Sequence, residues 1–564
     1  MSRYKSFVLP LLVLIYATGC KKQLNVGNPN APTAPQNIVN QGSLAQFGQG
    51  VVYVDGFQNV NAYNWLGSSY FSLNYGYAEL LADLTGSTDA NEIINTVNIP
   101  SYAIFDDGTK TPVAEPQSQQ LRTGNTRAST SAGYNALYYE WENMYLLNGS
   151  CNSFLATIPN IKTLSADAVS TFEAWGYFWK GYAYSVIGSQ YTAGVISNVA
   201  GTTNNHYLVR DSIIAESNYW LNLAATTLNG ISAGSPDYTT IMGELIPADF
   251  QLTTHGAPPT TTSFVHNINT LLARNILVNK LSTFVNGTLG GNITKSSIPA
   301  MTSGDWQSVL TLATNGIQAG DPFFIATSSS VNSFYGQGSG NITLLLGGSN
   351  SNTVFQPGLR LTQNYNSGDQ RLALDFTANA SDTFYNDLFS TVNSMISGSN
   401  GTTTVYNYSD ADPGAYETVI AGSTEENMLM LAEANIMTGN VETGLGLIDA
   451  ERDYQGAGVA HVAGTGLTQT QAYNQLVRER RVALFGRGLS FYDSRRWGWS
   501  YDISQGGGSY GNMVLWQPNS GHSVMYHNVT FDYNFMDYWD VPADEVVLNP
   551  PSAETAGVVT NPNY

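Results

Sequence analysis

The cysteine at position 20 carries the clearest reactive chemistry in this chain. Basic residues precede an apolar segment, residues 7–17, and the small residues Thr18 and Gly19 stand directly before Cys20. A segment of this length is typical of a secretory signal and is too short to cross a bilayer. A cysteine after the cut resembles the lipobox of bacterial lipoproteins, whose thiol is acylated. We predict a signal peptide at 1–19 and a lipid anchor on Cys20, with a chance cysteine as the alternative.

Patterns that would indicate catalysis are weak. A Gly-x-Ser-x-Gly match spans 507–511, but a nucleophile elbow needs a strand before the serine and a helix after it, whereas glycines precede Ser509. The sequence has neither a Gly-Lys-Ser/Thr phosphate loop nor a His-Glu-x-x-His zinc motif. Acidic residues are numerous enough for a glycosidase pair, which is defined by its separation in space. We interpret the serine match as chance.

Two acidic loop segments could supply oxygen ligands for Ca²⁺. They are Asp106-Asp107 and the segment that contains Asp410 and Asp412. Neither has the spacing of an EF-hand loop, so solvated loop acids are the favoured interpretation. We predict no cofactor and no metal site, with Ca²⁺ as the alternative.

Charge is scarce and mostly acidic. The 564 residues include 22 Lys and Arg against 42 Asp and Glu, a net charge of −20, and only 11% of residues are charged. Such a field repels nucleic acid, so we predict no nucleic-acid partner. The polar surface must come from uncharged side chains, which suits neutral ligands such as sugars, and 34 Tyr and 10 Trp provide rings that can stack on them.

Helical periodicity predicts the scaffold that positions these groups. In the clearest helix Trp175, Trp179 and Tyr182 recur at three- and four-residue steps, with Ser170 as its cap and Gly188 as its end. Short turns between small-residue helices predict a mainly α, tetratricopeptide-like scaffold with long loop-rich excursions and a few short strands. The other predicted helices lie at 44–57, 77–84, 134–157, 211–229, 264–283, 305–319, 424–438, 441–454 and 470–485.

Long polar segments without helical periodicity separate these helices, at 86–133, 320–415 and 500–564. Loops of this length in a compact domain are functional or disordered. A separate β domain at 320–415 is the alternative to an excursion from one globule. The predicted divisions are a flexible tether at 20–37 and a single globule at 38–564, made of a mainly helical part at 38–319, the excursion at 320–415 and a C-terminal part at 416–564.

Three segments together resemble the SusD/RagB family of outer-membrane lipoproteins. Residues 172–184, FEAWGYFWKGYAY, are similar to the family's Glu-Ala-x-Phe-x-Arg-Ala-x-x-Tyr helix. Residues 478–498, RERRVALFGRGLSFYDSRRWG, resemble its arginine-rich signature that ends in Arg-Trp-Gly, and residues 538–550, YWDVPADEVVLNP, resemble its Asn-Pro close. These segments bracket the mature chain, whereas residues 190–420 match poorly.

The resemblance implies a binding protein of the cell surface rather than an enzyme. Such proteins are lids on a SusC-like TonB-dependent transporter and deliver oligosaccharide to it. The resemblance also implies an outer-membrane location, with the lipid on Cys20 as anchor and the globule facing outward. Peptide capture by the same architecture and, less favoured, a surface glycosidase are the alternatives.

Side chains on the long loops are the predicted ligand contacts, because binding residues concentrate on loops that a rigid scaffold carries. For each aromatic residue, packing is an equally good explanation. The predicted contacts are Tyr102, Phe105, Arg122, Arg127, Phe334 and Tyr335.

The arginine-rich segment is predicted to be structural. Six arginines surround Glu479 and Asp493 within residues 478–497. Bidentate ion pairs of Arg480, Arg481, Arg495 and Arg496 with these acids would hold helix to loop. Trp497 and, from its helical pattern, Cys151 are predicted to lie in the core.

Overall fold

A computed structural model describes most of the globule. The predicted signal peptide, Cys20 and the tether lie outside the described residues, as do Arg127, Phe334 and Tyr335. Among the described residues no helix is both long and apolar enough to cross a bilayer. The described residues are 38–57, 70–87, 100, 102–112, 120–126, 135–327, 355–357, 359–378, 383–384, 387–388, 393–395, 417–517, 522–533 and 535–564.

Helices dominate the described residues, so the predicted mainly α fold is confirmed. The α-helices are α1 Gln41–Gly50, α2 Tyr70–Leu81, α3 Gln120–Gly124, α4 Ala136–Thr157, α5 Ala166–Gln190, α6 Arg210–Asn229, α7 Pro236–Leu245, α8 Thr261–Leu277, α9 Ser303–Thr314, α10 Leu359–Thr362, α11 Gln370–Asp375, α12 Thr424–Met437, α13 Val441–Tyr454, α14 Gln469–Ala483, α15 Ser490–Arg496 and α16 Ala543–Leu548. A π-helical turn, Val51–Gly56, continues α1, and 3₁₀ turns lie at Ile158–Asn160, Ala248–Gln251 and Ile503–Gln505.

Helix α5 is the centre of the core and packs against α4, α6 and α7. Its stripe of rings is buried as predicted, and Trp175 and Trp179 meet edge to face with centroids 5.5 Å apart. The predicted ends of α5 are wrong. Ser165 caps the helix by accepting a hydrogen bond from the Ala168 amide, 3.1 Å away, and the helix continues through Gly188 to Gln190.

Gly188 lies inside the helix because α6 approaches it closely. A Cβ at this position would lie 2.9 Å from the Ile214 side chain of α6. One at Gly181, two turns earlier, would lie 2.7 Å from Leu221. Glycine at these positions therefore allows the two helices to pack, which outweighs its low helix propensity.

Strands are short except for one hairpin. They are β1 Thr85–Ser87, β2 Tyr102–Phe105, β3 Lys110–Pro112, β4 Ala193–Val195, β5 Tyr207–Val209, β6 Phe284–Val285, β7 Thr288–Leu289, β8 Ile325–Thr327, β9 Phe355–Pro357, β10 Phe376–Ala378, β11 Thr383–Phe384, β12 Asp387–Leu388, β13 Asn393–Met395, β14 Glu417–Val419, β15 Ser509–Gln517 and β16 His522–Asp532. The order β15-β16-β2-β3 forms an antiparallel sheet, and the other strands pair in twos.

The arginine-rich segment joins α12, α14 and α15 through buried ion pairs, as predicted. Arg496 donates to both Glu433 oxygens, at 2.5 and 2.7 Å, and to Asp493 at 2.7 Å. Arg480 donates to the other Asp493 oxygen at 2.9 Å. The predicted pairing of Arg481 and Arg495 is wrong, because Arg495 donates to three backbone carbonyls and Arg481 to two.

Two further predictions for the core are confirmed. Trp497 and Cys151 are fully buried. Burial raises the pKa of the Cys151 thiol far above its ordinary value, which keeps it a neutral hydrophobic group.

Candidate functional site

A polar cleft of about 440 Å³ lies between α14 and the edge of the four-stranded sheet. We call it the Arg478 cleft. Its lining combines amide side chains, arginines and two aromatic rings, and of the described lining residues none is Asp, Glu or His. The lining residues are Arg360, Gln363, Asn364, Asn474, Gln475, Val477, Arg478, Arg481, Trp499, Tyr510, Gly511, Asn512 and Asn528.

Helix α14 forms one wall of the cleft. Asn474, Val477, Arg478 and Arg481 stand at positions i, i+3, i+4 and i+7, which share one face of a helix. Arg480 lies away from this face and donates to the buried Asp493. The helical period therefore divides the arginines of α14 between the core and the cleft.

The other wall is the edge strand β15, whose backbone is covered by side chains. Arg360 of α10 donates to the carbonyl oxygen of Tyr510 at 3.1 Å, and Gln363 accepts from the Asn512 amide at 3.1 Å. Asp83 accepts from Arg360 Nε at 2.5 Å, which fixes the guanidinium. These bonds satisfy edge groups that would otherwise be open to pairing with another chain.

Backbone irregularities concentrate at this wall. Opposite Asn512 the register of the hairpin shifts by one residue, and Asn528 adopts a positive φ of 49° there. The Asn512 side chain accepts from the Asn528 amide at 3.0 Å. Gly511 has φ 149°, and a Cβ on it would lie only 2.1 Å from Arg360 Nη1. Bulges and residues outside the common φ/ψ regions recur next to functional sites.

Two aromatic rings give the cleft apolar surfaces. Trp499 is half-buried, and the Arg481 guanidinium lies over its ring, 4.6 Å from the centroid. Tyr510 is 55% exposed. Burial, aided by the positive charge of Arg360, lowers the pKa of Arg481 to about 9. The cleft thus combines ring faces with guanidinium and amide groups that can hydrogen-bond a polar ligand.

The predicted contacts Tyr102 and Phe105 lie on β2 but point to opposite faces of the sheet, because side chains alternate along a strand. Phe105 packs against the core. Tyr102 shares the outer face with Tyr510, since the register pairs Tyr510 with Thr530 and Thr530 with Ile104. The Lys110 ammonium covers one side of the Tyr102 ring, 3.4 Å from its centroid.

Arg122, another predicted contact, is engaged by the C-terminal segment. Its Nε and Nη2 donate to the two Asp540 oxygens at 2.6 and 2.9 Å, and Nη2 also donates to the Asn561 carbonyl at 2.8 Å. Its Nη1 donates to the carbonyl oxygen of Tyr564. These contacts give Arg122 a structural role, and ligand binding by the predicted set stays a prediction.

The structure also shows the surroundings of the residues considered for catalysis and for Ca²⁺ binding. Ser509 begins β15 and bonds to Arg360, with a strand rather than a helix after it, so it is not a nucleophile elbow. Asp106 and Asp107 are exposed, and Asp107 accepts from the Thr109 amide at 2.8 Å. Among the described residues no group of three or more His, Cys, Asp or Glu side chains could hold a metal ion; Asp410 and Asp412 lie outside them.

Sequence reasoning missed the residues that line the cleft. Trp499 and Tyr510 were not among the predicted contacts, although Tyr510 lies in the long polar segment 500–564, and Arg478 and Arg481 fall within the segment interpreted as scaffold. One available signal was the i, i+3, i+4, i+7 spacing of the polar face of α14. The cleft forms because α14 and β15, which are distant in sequence, lie close together in the fold, and no local sequence pattern indicates this arrangement.

Comparison with known proteins identifies the fold. Neither a protein-family model nor a curated protein matches the sequence. A solved SusD homolog from Bacteroides thetaiotaomicron superposes with a TM-score of 0.53 at 12% identity, over 84% of this chain and 89% of that one. A SusD superfamily protein from the same species superposes with a TM-score of 0.51 at 12% identity, over 91% of this chain and 98% of that one. A SusD superfamily protein from Bacteroides vulgatus superposes with a TM-score of 0.50 at 14% identity, over 81% of this chain and 88% of that one. The chain therefore has a SusD-like fold, as its sequence motifs predicted.

Proposed function

We propose that this chain is a glycan-binding lipoprotein of the SusD/RagB type that captures oligosaccharide at the cell surface. The observation that carries the proposal is the Arg478 cleft on a SusD-like fold. Its amide and guanidinium groups can donate to sugar hydroxyls, and the rings of Trp499 and Tyr510 can stack on the apolar faces of sugars. A few polar groups placed around apolar surfaces are typical of small-ligand sites.

The composition of the cleft favours binding over catalysis. Hydrolysis of glycosides uses a pair of carboxyl groups, and the described lining residues include neither Asp nor Glu. A surface glycosidase is therefore the weaker alternative. Chromatography of a bound glycan after incubation with the chain tests it, because shortened products would contradict a pure binding role.

The proposal includes the anchor and the partner. The lipid on Cys20 holds the globule at the outer membrane, facing outward, and the globule acts as the lid of a SusC-like TonB-dependent transporter. Incorporation of a labelled acyl chain into the chain but not into a Cys20→Ser variant tests the anchor. Protease treatment of intact cells tests the outward orientation, and co-purification from detergent-solubilised membranes tests the transporter.

Glycan and peptide arrays followed by calorimetry of the best ligand test the binding function. Trp499→Ala and Tyr510→Ala should each weaken glycan binding about tenfold or more, since each removes a stacking surface. Tyr219→Ala is the matched control, because Tyr219 is 57% exposed and lies outside the cleft. If both cleft variants keep the affinity of the parent, the glycan does not bind in this cleft. Binding of peptides alone would favour the peptide-capture alternative.

The originally predicted contacts offer a second location on the same chain. Substitution of Tyr102, Phe105 and Tyr335 by Ala tests it with the same ligand. Loss of affinity here, together with unchanged affinity in the Trp499 variant, would place the ligand on the predicted loops.

A further inference from the structure

Most arginines of the described residues have a carboxylate partner. Nine form such ion pairs, and Arg478, Arg481 and Arg495 do not. Arg495 is fully buried and donates to backbone carbonyls, whereas the other two both line the Arg478 cleft. The nine paired arginines are Arg122, Arg210, Arg274, Arg360, Arg371, Arg452, Arg480, Arg487 and Arg496.

Arg481 is a buried cation that forms no ion pair among the described residues; Asp83, which is paired with Arg360, and Glu79 are the carboxyl groups that act on its charge. Arg481 is only 4% exposed, and it donates to two neutral carbonyl oxygens, those of Ala82 at 3.2 Å and Arg360 at 3.3 Å. A buried charge that lacks an opposite charge is costly, and the lowered pKa of Arg481 reflects this environment. An anion in the cleft would supply the missing partner.

Arg478 lies one turn before Arg481 on the same face of α14 and is half-buried. Its contact with a neighbouring side chain is one hydrogen bond to Asn366 Oδ1 at 3.3 Å, which leaves its charge uncompensated. Trp499 lies beside Arg481 in the same lining. A ring that stacks on the tryptophan would hold its substituent close to these guanidinium groups.

We propose that the Arg478 cleft binds an anionic saccharide, whose uronic-acid carboxylate or sulfate ester is held by Arg478 and Arg481. The proposal rests on the glycan-binding function proposed above and narrows its ligand class. Guanidinium groups match the planar geometry of carboxylates and the oxygens of sulfate esters. Acidic residues outnumber basic ones in the chain by 42 to 22, so the cationic cleft would attract an anionic saccharide that the net charge of the chain repels.

Calorimetry with the purified full chain in detergent tests the proposal with two pairs of probes. Oligogalacturonate is compared with its methyl ester, and sulfated chondroitin oligosaccharide with its desulfated form. We expect at least one acidic probe to bind about tenfold or more tightly than its neutralised or desulfated partner, with an advantage that falls as salt rises. The first pair reports on carboxylate recognition and the second on sulfate recognition.

Arg478→Gln should remove this advantage, because it lowers the affinity for the acidic probe more than the affinity for its neutral partner, and the exposed Lys162→Gln serves as the charge control. Equal binding within both pairs, or a preference that survives Arg478→Gln, would overturn the anionic ligand while glycan binding stands. No saccharide binding at all on these probes and on the glycan array would overturn the glycan function as well. If a hexaglutamate peptide binds more tightly than both acidic saccharide probes, the assignment of the ligand as a saccharide is overturned.

Discussion

Glu79 is a buried carboxyl whose ionisation should set a pH dependence of stability. It lies on α2, fully buried, and Oε1 accepts from the Gly486 amide at 2.8 Å; Ser490 and Arg481 also act on the carboxyl and partly offset the effect of burial. Burial raises its pKa from 4.5 to about 8. The folded chain therefore retains a proton at pH 7 that the unfolded chain has released.

The sign of the effect follows from this difference in proton binding. Stability from the neutral carboxyl is fully present below pH 4.5 and is lost as the pH rises through about 8. Each pH unit in this interval costs about 1.4 kcal/mol, so Glu79 should lower the free energy of unfolding by about 3 kcal/mol at pH 7 relative to pH 4.5.

The substitution Glu79→Gln imitates the protonated carboxyl, because the amide oxygen can still accept from Gly486. We expect a gain of about 0.7 kcal/mol at pH 5 and of about 3 kcal/mol at pH 7, seen as a urea unfolding midpoint that rises further above that of the parent as the pH rises. If the free energies of unfolding of the parent and of Glu79→Gln differ by the same amount from pH 5 to pH 8.5, the reasoning is refuted, whatever the size of that difference.

Two further substitutions test the scaffold and the wall of the cleft. Arg496→Met should cost about 3–5 kcal/mol at pH 7 in urea unfolding, since it leaves the buried Glu433 carboxylate without its partner; a loss below about 1 kcal/mol would contradict this. Gly511→Ala should displace Arg360 from β15 and cost about 1–3 kcal/mol more than Gly287→Ala, a control with positive φ and open space around its Cβ. Equal losses in the two glycine variants would show that the close approach does not matter.

The longer helices of the scaffold were predictable because they carry their own periodic signal, whereas the shorter helices α7 and α15 were not predicted. Rings at three- and four-residue steps in α5 face a core that surrounds the helix, so local periodicity was sufficient. The ends of the helices were less predictable. The sequence predicts that Gly188 ends α5, but in the structure this glycine lies inside the helix and allows α6 to pack closely against it. That role depends on a neighbour that no local pattern reveals.

The sheet could not be predicted in the same way. Strand β2 pairs with β16, more than 400 residues later, and the alternation of the hairpin is interrupted where Asn512 meets a register shift. Pairing at this separation depends on the completed fold. Tyr102 was identified as a candidate because it is an aromatic residue in a predicted loop, and only the register shows that it shares the outer face of the sheet with Tyr510.

The arginine-rich segment shows how charge and helical phase together point to a site. Local acids are few: Asp493 is shared by Arg480 and Arg496, and Glu479 is taken by arginines from elsewhere. Arginines remain that no acid neutralises, and two of them lie on one face of α14. On this face Arg481 is buried and Arg478 is half-buried, and both line the cleft, so positive charge without a paired carboxylate faces the cleft. The prediction that the whole segment is scaffold did not distinguish the part of α14 that forms buried ion pairs from the face that lines the cleft.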